Sequence, residues 1–198
     1  MVTNIAEPSA HWTRLAEAAA LAFDLHAEQR RKGTTIPYIA HLMSVAALVL
    51  EHGGDEDQAI AGLLHDAIED VGAEQEDIIN DRFGPRVASI VRACSDTDII
   101  PKPPWRNRKE TYIEHLEHAG DDVLLVSACD KLHNARAIVS DLATHGQDMF
   151  GRFNGGQQGT LWYYNTLAEV FSRRLPGPLA IELLKTVSEM QALSEAAG

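Results

Sequence analysis

Cysteines are scarce in this 198-residue sequence, and acidic residues outnumber basic ones. The two cysteines, Cys94 and Cys129, lie far apart, which predicts neither a disulfide framework nor a zinc finger. The 29 acidic and 17 basic residues give a formal net charge of −12. Because nucleic acids and anionic membranes require a positive field, neither is expected as a partner. A small anionic substrate remains compatible with this charge if a metal ion or a local basic cluster offsets it.

Long apolar runs are also missing from the sequence. No stretch approaches the roughly 18 residues that a membrane-spanning helix needs, and residues 1–8 lack the basic and apolar regions of a signal peptide. We therefore expect a cytoplasmic protein. The length and a hydrophobic content of 45% predict one globular domain with a substantial core. The sequence leaves open whether the chain forms a homo-oligomer.

The spacing of apolar residues is helical along nearly the whole chain. A first stripe, with Ser9 as its N-cap, contains Trp12, Leu15, Ala19, Ala22, Phe23 and His26. A second stripe, which ends at Gly53-Gly54, contains Tyr38, His41, Leu42, Val45, Leu48 and Val49. Both stripes predict amphipathic helices that bury one face.

Cap and turn residues divide the rest of the chain. Asp55 can cap a helix that carries His65 and Asp66. Residues 96–105 contain three prolines and residues 146–159 are rich in glycine, so both stretches are predicted to be loops. Further helices are expected around residues 78–79, from Pro85 to Cys94, near 106–118 and 121–144, and on either side of residues 176–178. No run resembles a strand, so the sequence predicts an all-α fold.

The run from Gly62 to Asp70 places ionisable groups in an apolar helix. His65, Asp66, Glu69 and Asp70 lie within six residues, among side chains typical of a buried helix. Burying such groups is costly unless they are paired or bind a metal ion. The rest of the chain must therefore supply either partners or further ligands.

Two other helices supply candidate ligands. His41 lies on the core-facing stripe of its helix, and Asp130 ends an apolar helical run. Together with His65 and Asp66 they form a mixed nitrogen and oxygen set that suits Mn²⁺ or Fe²⁺, whereas structural zinc more often recruits thiolates. The alternative from spacing alone is a helix-end salt bridge and a hydrogen-bonded core histidine. If a metal binds, Glu69 and Asp70, one helical turn beyond His65 and Asp66, are placed to orient or deprotonate a water.

Three groups of motifs, in this order, resemble the HD-type hydrolase domain of RelA/SpoT proteins. They are His26–Gly33 with Pro37–His41, Leu63–Asp70 with Phe83-Gly84, and Asp130–Asn134. The resemblance covers about residues 26–136, and no synthetase domain follows, so the chain is similar to a stand-alone small alarmone hydrolase. It implies one HD-type helical bundle over residues 1–198, with a metal site between helices and C-terminal helices within 160–196 packed on the motif-bearing core.

The resemblance also implies a reaction, which is the Mn²⁺-dependent removal of pyrophosphate from the 3′ position of ppGpp or pppGpp to give GDP or GTP. The implied metal ligands are His41, His65, Asp66 and Asp130. Glu69 and Asp70 would activate or position the attacking water. Arg31 and Lys32 would contact the nucleotide, and Asn134 would help to hold its ribose or base.

Two alternatives to this function stay open at the level of sequence. One is an HD-type phosphohydrolase for another nucleotide, such as an adenine alarmone or a nucleotide phosphorylated at the ribose 2′ or 3′ position. In that case Arg31, Lys32, Asn134 and Ala137 would decide which nucleotide is accepted. The other is a silent module that binds a nucleotide without turnover, against which the complete ligand set argues. The basic segment from Lys102 to Lys109 fits either a grip on phosphates or a solvated loop.

Overall fold

The computed structural model of the protein describes residues 12–97 and 101–196, and this part of the chain is helical without a named strand. An isolated antiparallel bridge joins Arg30 to Pro37. The elements are α1 Thr13–Leu25, α2 Ile39–Glu51, α3 Glu56–Leu64, α4 Ala67–Asp70, α5 Gln75–Phe83, α6 Pro85–Cys94, α7 Trp105–His118, α8 Asp121–His145, a 3₁₀ helix Gly146–Arg152, α9 Gly156–Arg174 and α10 Pro178–Ala196. The predicted all-α fold is confirmed.

Most helix boundaries lie where cap and turn residues predict them. Gly53 and Gly84 follow α2 and α5 with φ values of 84° and 93°, a backbone region that favours glycine. Pro85 occupies the first turn of α6, where its missing N–H costs no helical hydrogen bond. None of the helices in residues 12–97 and 101–196 is long and apolar enough to cross a membrane.

The glycine-rich stretch of residues 146–159 is not a loop, so this prediction was wrong. The 3₁₀ helix occupies its first half, and α9 already begins at Gly156. The ring of Trp105 leaves no room for a side chain at two of the glycines. A Cβ atom at Gly155 would lie only 2.7 Å from this ring, and one at Gly159 only 3.1 Å from it. These glycines let α7 and α9 approach closely.

The predicted stripe of α1 was partly wrong. Trp12 and Phe23 are 46% and 49% exposed, whereas Ala18, Leu21 and Ala22 are buried. The reason is that α1 packs mainly against α3 through its small alanine side chains, so its buried face is narrower than the apolar stripe. The predicted N-cap Ser9 lies outside the described residues.

The packing of α2, α3 and α8 positions the candidate ligands. These helices contact one another around a core of buried apolar side chains, on which α9 and α10 also pack. Gly62 of α3 faces α2, where a Cβ atom would lie 3.3 Å from the Cα atom of Ala46. This close approach brings the helix that bears His41 next to the end of α3, where His65 lies.

A capping box begins α3. The side chain of Asp55 accepts a hydrogen bond from the backbone N–H of Gln58 at 3.0 Å, and the Gln58 side chain accepts one from the backbone N–H of Asp55 at 2.8 Å. Both contacts satisfy donors that have no partner within the helix. The predicted capping role of Asp55 is therefore confirmed for α3.

We expect Asp55→Ala to lower the free energy of unfolding by about 1 kcal/mol, because a backbone donor of α3 loses its acceptor. Urea unfolding followed by circular dichroism measures the change. Asp55→Asn keeps the acceptor but loses the ion pair with Arg86, so it should retain most of the stability. Asp24→Ala, at an exposed position of α1, is the control. Equal losses in Asp55→Ala and Asp55→Asn would assign the effect to the ion pair instead.

Candidate metal centre

His65 and Asp66 lie in a tight turn between α3 and α4, so the prediction that one helix carries both residues was wrong. His65 has φ −59° and ψ −27°, which are close to helical values, whereas Asp66 has φ −97° and ψ −2°. The helix therefore ends here without a glycine or proline. On a continuous helix neighbouring side chains diverge by about 100°. In the turn, Nε2 of His65 lies 3.1 Å from Oδ2 of Asp66, so both side chains face one centre.

The four predicted ligands come together at this centre. Nε2 of His41, from α2, lies 3.2 Å from Oδ1 of Asp130, from α8, and 3.8 Å from Oδ2 of Asp66. Nε2 of His65 lies 3.6 Å from Oδ1 of Asp130. Candidate ligand atoms of His41, His65 and Asp66 are all within 4.8 Å of one another. Three separate stretches of chain thus contribute to one compact cluster.

The hydrogen bonds of His65 leave its Nε2 atom available as a ligand. Nδ1 lies 2.8 Å from the carbonyl oxygen of Gly62. A carbonyl only accepts, so Nδ1 carries a proton and Nε2 is the ring atom that faces the centre and can bind a metal ion. This Nε2 atom is buried and has no hydrogen-bond partner in residues 12–97 and 101–196.

His41 is arranged in the same way. Its Nε2 atom is also buried without a hydrogen-bond partner in the described part of the chain, and its Nδ1 atom lies 2.8 Å from Nδ1 of His133. Burial and the neighbouring His41 and Arg31 lower the pKa of His133 to about 4. His133 is therefore neutral at pH 7 and its Nδ1 atom can accept a hydrogen bond from the Nδ1–H group of His41, which leaves Nε2 of His41 to face the centre.

The electrostatics of the cluster favour a bound cation. Burial lowers the pKa of His65, but the charges of Asp66 and Asp130 outweigh it and raise this pKa well above the usual value. The site thus attracts a positive charge even without a metal ion. Two imidazole nitrogens and two carboxylates form a donor set that fits a divalent cation.

Neighbouring side chains orient the two carboxylates. Tyr38 donates its hydroxyl to Oδ2 of Asp66 at 2.5 Å. Asn134 donates to Oδ1 of Asp130 at 2.5 Å, and Lys131 donates to Oδ2 at 2.6 Å. The sequence places Tyr38 in an apolar stripe and in the motif Pro37–His41, but it predicts no contact of Tyr38 with Asp66 and no role for Lys131. The available signal was spacing, because Tyr38 precedes His41 by three residues and so shares its side of the chain.

Glu69 and Asp70 have different surroundings. Oε1 of Glu69 accepts a hydrogen bond from Lys102 at 2.9 Å, and Oε2 accepts one from the backbone N–H of Asp96 at 3.3 Å. Oδ2 of Asp70 instead accepts a hydrogen bond from Gln29 at 2.8 Å. Desolvation and the charge of Asp66 raise the pKa of Asp70. Glu69 is therefore held by Lys102 and the backbone of Asp96, and Asp70 by Gln29.

A pocket of about 460 Å³ adjoins the centre. Tyr38, Glu69 and Asn134 line it next to the cluster, and Arg31 donates to Oδ1 of Asn134 at 2.9 Å. The residues predicted to contact a nucleotide, Arg31, Lys32 and Asn134, thus face the same pocket. The lining also includes Asp96, Trp105, Arg108, Lys109, Lys131, Ala137, Asp141, Tyr163 and Tyr164.

The basic segment from Lys102 to Lys109 divides between the pocket and the surface. Arg108 and Lys109 line the pocket and both bind the carboxylate of Asp96. Arg106 instead lies over the ring of Trp162, 3.2 Å from its centroid. The segment is therefore neither a uniform phosphate grip nor an ordinary solvated loop.

An all-α bundle with two histidines and two aspartates between its helices defines the class of HD-type metal-binding domains. Residues 18–161 match the family of HD domains. The chain belongs to this family. A divalent metal ion is implied for HD hydrolases, and the cluster of His41, His65 and Asp66 supplies a site for it.

Several relatives carry names that specify a reaction. The chain is 38% identical over 125 residues to guanosine-3′,5′-bis(diphosphate) 3′-pyrophosphohydrolase MESH1 of Xenopus tropicalis. The aligned residues are 62% of this chain and 68% of that protein. It is 33% identical to MESH1 of Drosophila melanogaster over 66% of this chain and 71% of the relative. Escherichia coli SpoT, a bifunctional (p)ppGpp synthase/hydrolase, is 34% identical over 64% of this chain but only 18% of SpoT.

Two solved structures share the fold. One, described as a metazoan orthologue of SpoT that hydrolyses ppGpp, superposes with a TM-score of 0.72 and 22% identity over 89% of this chain and 94% of that one. The other, from Listeria monocytogenes, gives a TM-score of 0.65 and 24% identity over 78% and 99% of the two chains. Both similarities support the all-α architecture.

We expect a divalent cation to raise the melting temperature by on the order of 5–10 °C at saturating concentration, because only the folded chain brings the ligands together. Differential scanning calorimetry with Mn²⁺ and with a chelator measures this shift. Asp66→Asn should remove most of it while keeping the helical circular dichroism, and Asp81→Asn on exposed α5 should not. A full shift in Asp66→Asn would show that the negative charge of Asp66 does not contribute to metal binding.

Proposed function

We propose that this protein is a metal-dependent pyrophosphohydrolase that removes the 3′-pyrophosphate of ppGpp or pppGpp and yields GDP or GTP. The observation that carries the proposal is the cluster of four ligand groups that adjoins a pocket rich in cations. Relatives of this chain are named for the same reaction. We also propose that the chain is one HD-type domain, because α10 packs on α8 and α9.

In this proposal His41, His65, Asp66 and Asp130 hold Mn²⁺. The set contains no thiolate, which suits Mn²⁺ better than structural zinc. When bound, a divalent cation polarises a phosphoryl oxygen and lowers the pKa of a coordinated water. The residues around the ligands fix their directions, since Tyr38 holds Asp66 while Lys131 and Asn134 hold Asp130.

Glu69 and Asp70 serve the attacking water. The oxygen of this water forms a bond to the phosphorus attached to the ribose 3′-oxygen, the bond to that oxygen breaks, and the 3′-oxygen receives a proton. A carboxylate takes the proton that the water loses and passes a proton to the departing 3′-oxygen. Glu69 is suited to this step because it lines the pocket, and Lys102 and the backbone of Asp96 hold it in one orientation.

Basic residues outnumber acidic ones in the lining of the pocket, although the protein as a whole is acidic. The basic lining residues are Arg31, Lys32, Arg108, Lys109 and Lys131, and the acidic ones are Glu69, Asp96 and Asp141. A nucleotide with phosphates on both sides of the ribose needs such cations, because its charge must be offset before it can approach an acidic cluster. The rings of Trp105 and Tyr163 supply apolar surface in the same pocket. The lining thus matches a phosphate-rich nucleotide.

A second candidate is the same chemistry on another nucleotide, such as an adenine alarmone or a nucleotide phosphorylated at the ribose 2′ or 3′ position. Ala137 bears on this candidate, because it lines the pocket with a methyl group, offers no side-chain hydrogen bond to a base and so does not select guanine over another base. The metal ligands and the two carboxylates would keep the same roles. The complete ligand set speaks against a silent nucleotide-binding module.

We expect purified protein with Mn²⁺ to convert ppGpp to GDP and pyrophosphate, and chelated protein to leave it intact. Anion-exchange chromatography separates the substrate from the products. An adenine alarmone is tested in parallel, and Asp66→Asn is the inactive control. Intact ppGpp together with cleavage of the adenine alarmone would replace the leading candidate by the second one.

We expect Glu69→Gln to slow turnover by about 100-fold, because the amide cannot accept the proton of the water. The metal-induced rise in melting temperature should stay unchanged, since Glu69 is not among the ligands. Glu114→Gln, on the exposed side of α7, is the matched control. An unchanged rate in Glu69→Gln would shift the role of base to Asp70.

A further inference from the structure

His26 is a buried ionisable residue that the proposed reaction does not use. It follows α1 directly and is 2% exposed. Its Nδ1 atom lies 2.5 Å from Oε1 of Gln29. An amide oxygen only accepts, so Nδ1 of His26 donates to it. The ring of His26 also packs against Tyr38, with 5.5 Å between the ring centroids.

This contact fixes the orientation of the Gln29 side chain. Because the amide oxygen is engaged by His26, the NH₂ group points the other way, to Asp70. The distance from Nε2 of Gln29 to Oδ2 of Asp70 is 2.8 Å. A hydrogen bond to a charged carboxylate is stronger than one between neutral groups. His26, Gln29 and Asp70 thus form one directed chain of hydrogen bonds.

The backbone of Gln29 is held as well. Its N–H donates to the carbonyl of His26 at 3.1 Å, and its carbonyl accepts from the N–H of Tyr38 at 3.0 Å. Tyr38 in turn holds Asp66 through its hydroxyl. Gln29, which contacts Asp70, is therefore hydrogen-bonded through its backbone to Tyr38, which orients the proposed ligand Asp66.

Asp70 depends on such outside support. It ends α4, a helix of only four residues, and its side chain is at the exposed end of this single turn. A carboxylate that positions a reacting water must be held in one orientation, since small displacements reduce the rate. In the described part of the chain, the side-chain hydrogen bond from Gln29 is the contact that can hold the Asp70 carboxylate in one orientation.

We propose that Gln29, oriented by His26, is the positioning residue for the catalytic carboxylate of Asp70. This role rests on the proposed function, because it matters only if Asp70 acts on water. Neither Gln29 nor Asp70 lines the pocket. Because its side chain donates to Asp70, Gln29 acts on turnover through Asp70 and not through binding of the nucleotide.

The first test compares two substitutions at Gln29. Gln29→Met keeps the length of the side chain and removes the hydrogen bonds, so kcat should fall about tenfold while KM stays within about twofold. Gln29→Glu keeps an acceptor for His26 but places a second carboxylate against Asp70, so its loss should be at least as large. Glu28→Met, at the exposed neighbouring position, should retain the activity of the unmodified protein. The metal-induced rise in melting temperature should be unchanged in all three.

The second test separates a positioning role from a structural one. If Gln29 acts through Asp70, Gln29→Met should change kcat by less than about twofold when Asp70 is already alanine. A readout independent of turnover is the side-chain NH₂ signal of Gln29 in the ¹⁵N-labelled chain with diamagnetic Mg²⁺. This signal should move in Asp70→Ala and not in Glu28→Met.

The outcomes separate this inference from the proposed function. Unmodified protein that leaves ppGpp and the adenine alarmone intact overturns the proposed function. Active unmodified protein with an unchanged kcat in Gln29→Met overturns only the positioning role. An equal fall of kcat with and without Asp70, or an NH₂ signal that ignores Asp70→Ala, also overturns it.

Discussion

The structure depends on a buried cluster of carboxylates and imidazoles whose negative charge is balanced by neighbouring positive groups. Two imidazole lone pairs and two carboxylates converge within a few ångströms in a largely buried space. The packing that forces them together is apolar and close, as the contact of Gly62 with Ala46 illustrates. The hydrophobic core holds these groups together. Burial raises the pKa of Asp66 and of Asp130, but His65 and Lys131, respectively, outweigh it and keep both pKa values below the usual range. Strongly shifted pKa values of this kind are typical of functional sites.

Hydrogen bonds from neighbouring side chains fix the two carboxylates of the cluster from two directions. On one side Lys131 and Asn134 hold Asp130, and Arg31 holds Asn134, which connects the cluster to the pocket. On the other side Tyr38 holds Asp66. Different residues therefore orient Asp130 and Asp66, and both sets of contacts connect the cluster to the pocket, because Tyr38 and Asn134 also line it.

The sequence predicted the helices and the cluster more successfully than the local geometry. Apolar periodicity located α2 and α8, and the motifs named all four residues that converge. The turn at His65 and Asp66 could not be predicted, because it contains neither glycine nor proline and follows from packing. The glycines of residues 146–159 suggested a loop because their neighbour Trp105 is distant in sequence. The contact of Gln29 with Asp70 spans 41 residues and has no signature in local spacing.

The spread of the ligand groups along the chain has a consequence for biosynthesis. His41 is made early and Asp130 much later, so a ribosome-bound chain that has not yet emerged beyond α8 lacks one wall of the centre. An ion held by all four groups would close a long loop and join three helices, much as a covalent staple does. Metal uptake would then be a late event in maturation, and the loaded centre would mark a chain whose folding is complete through α8.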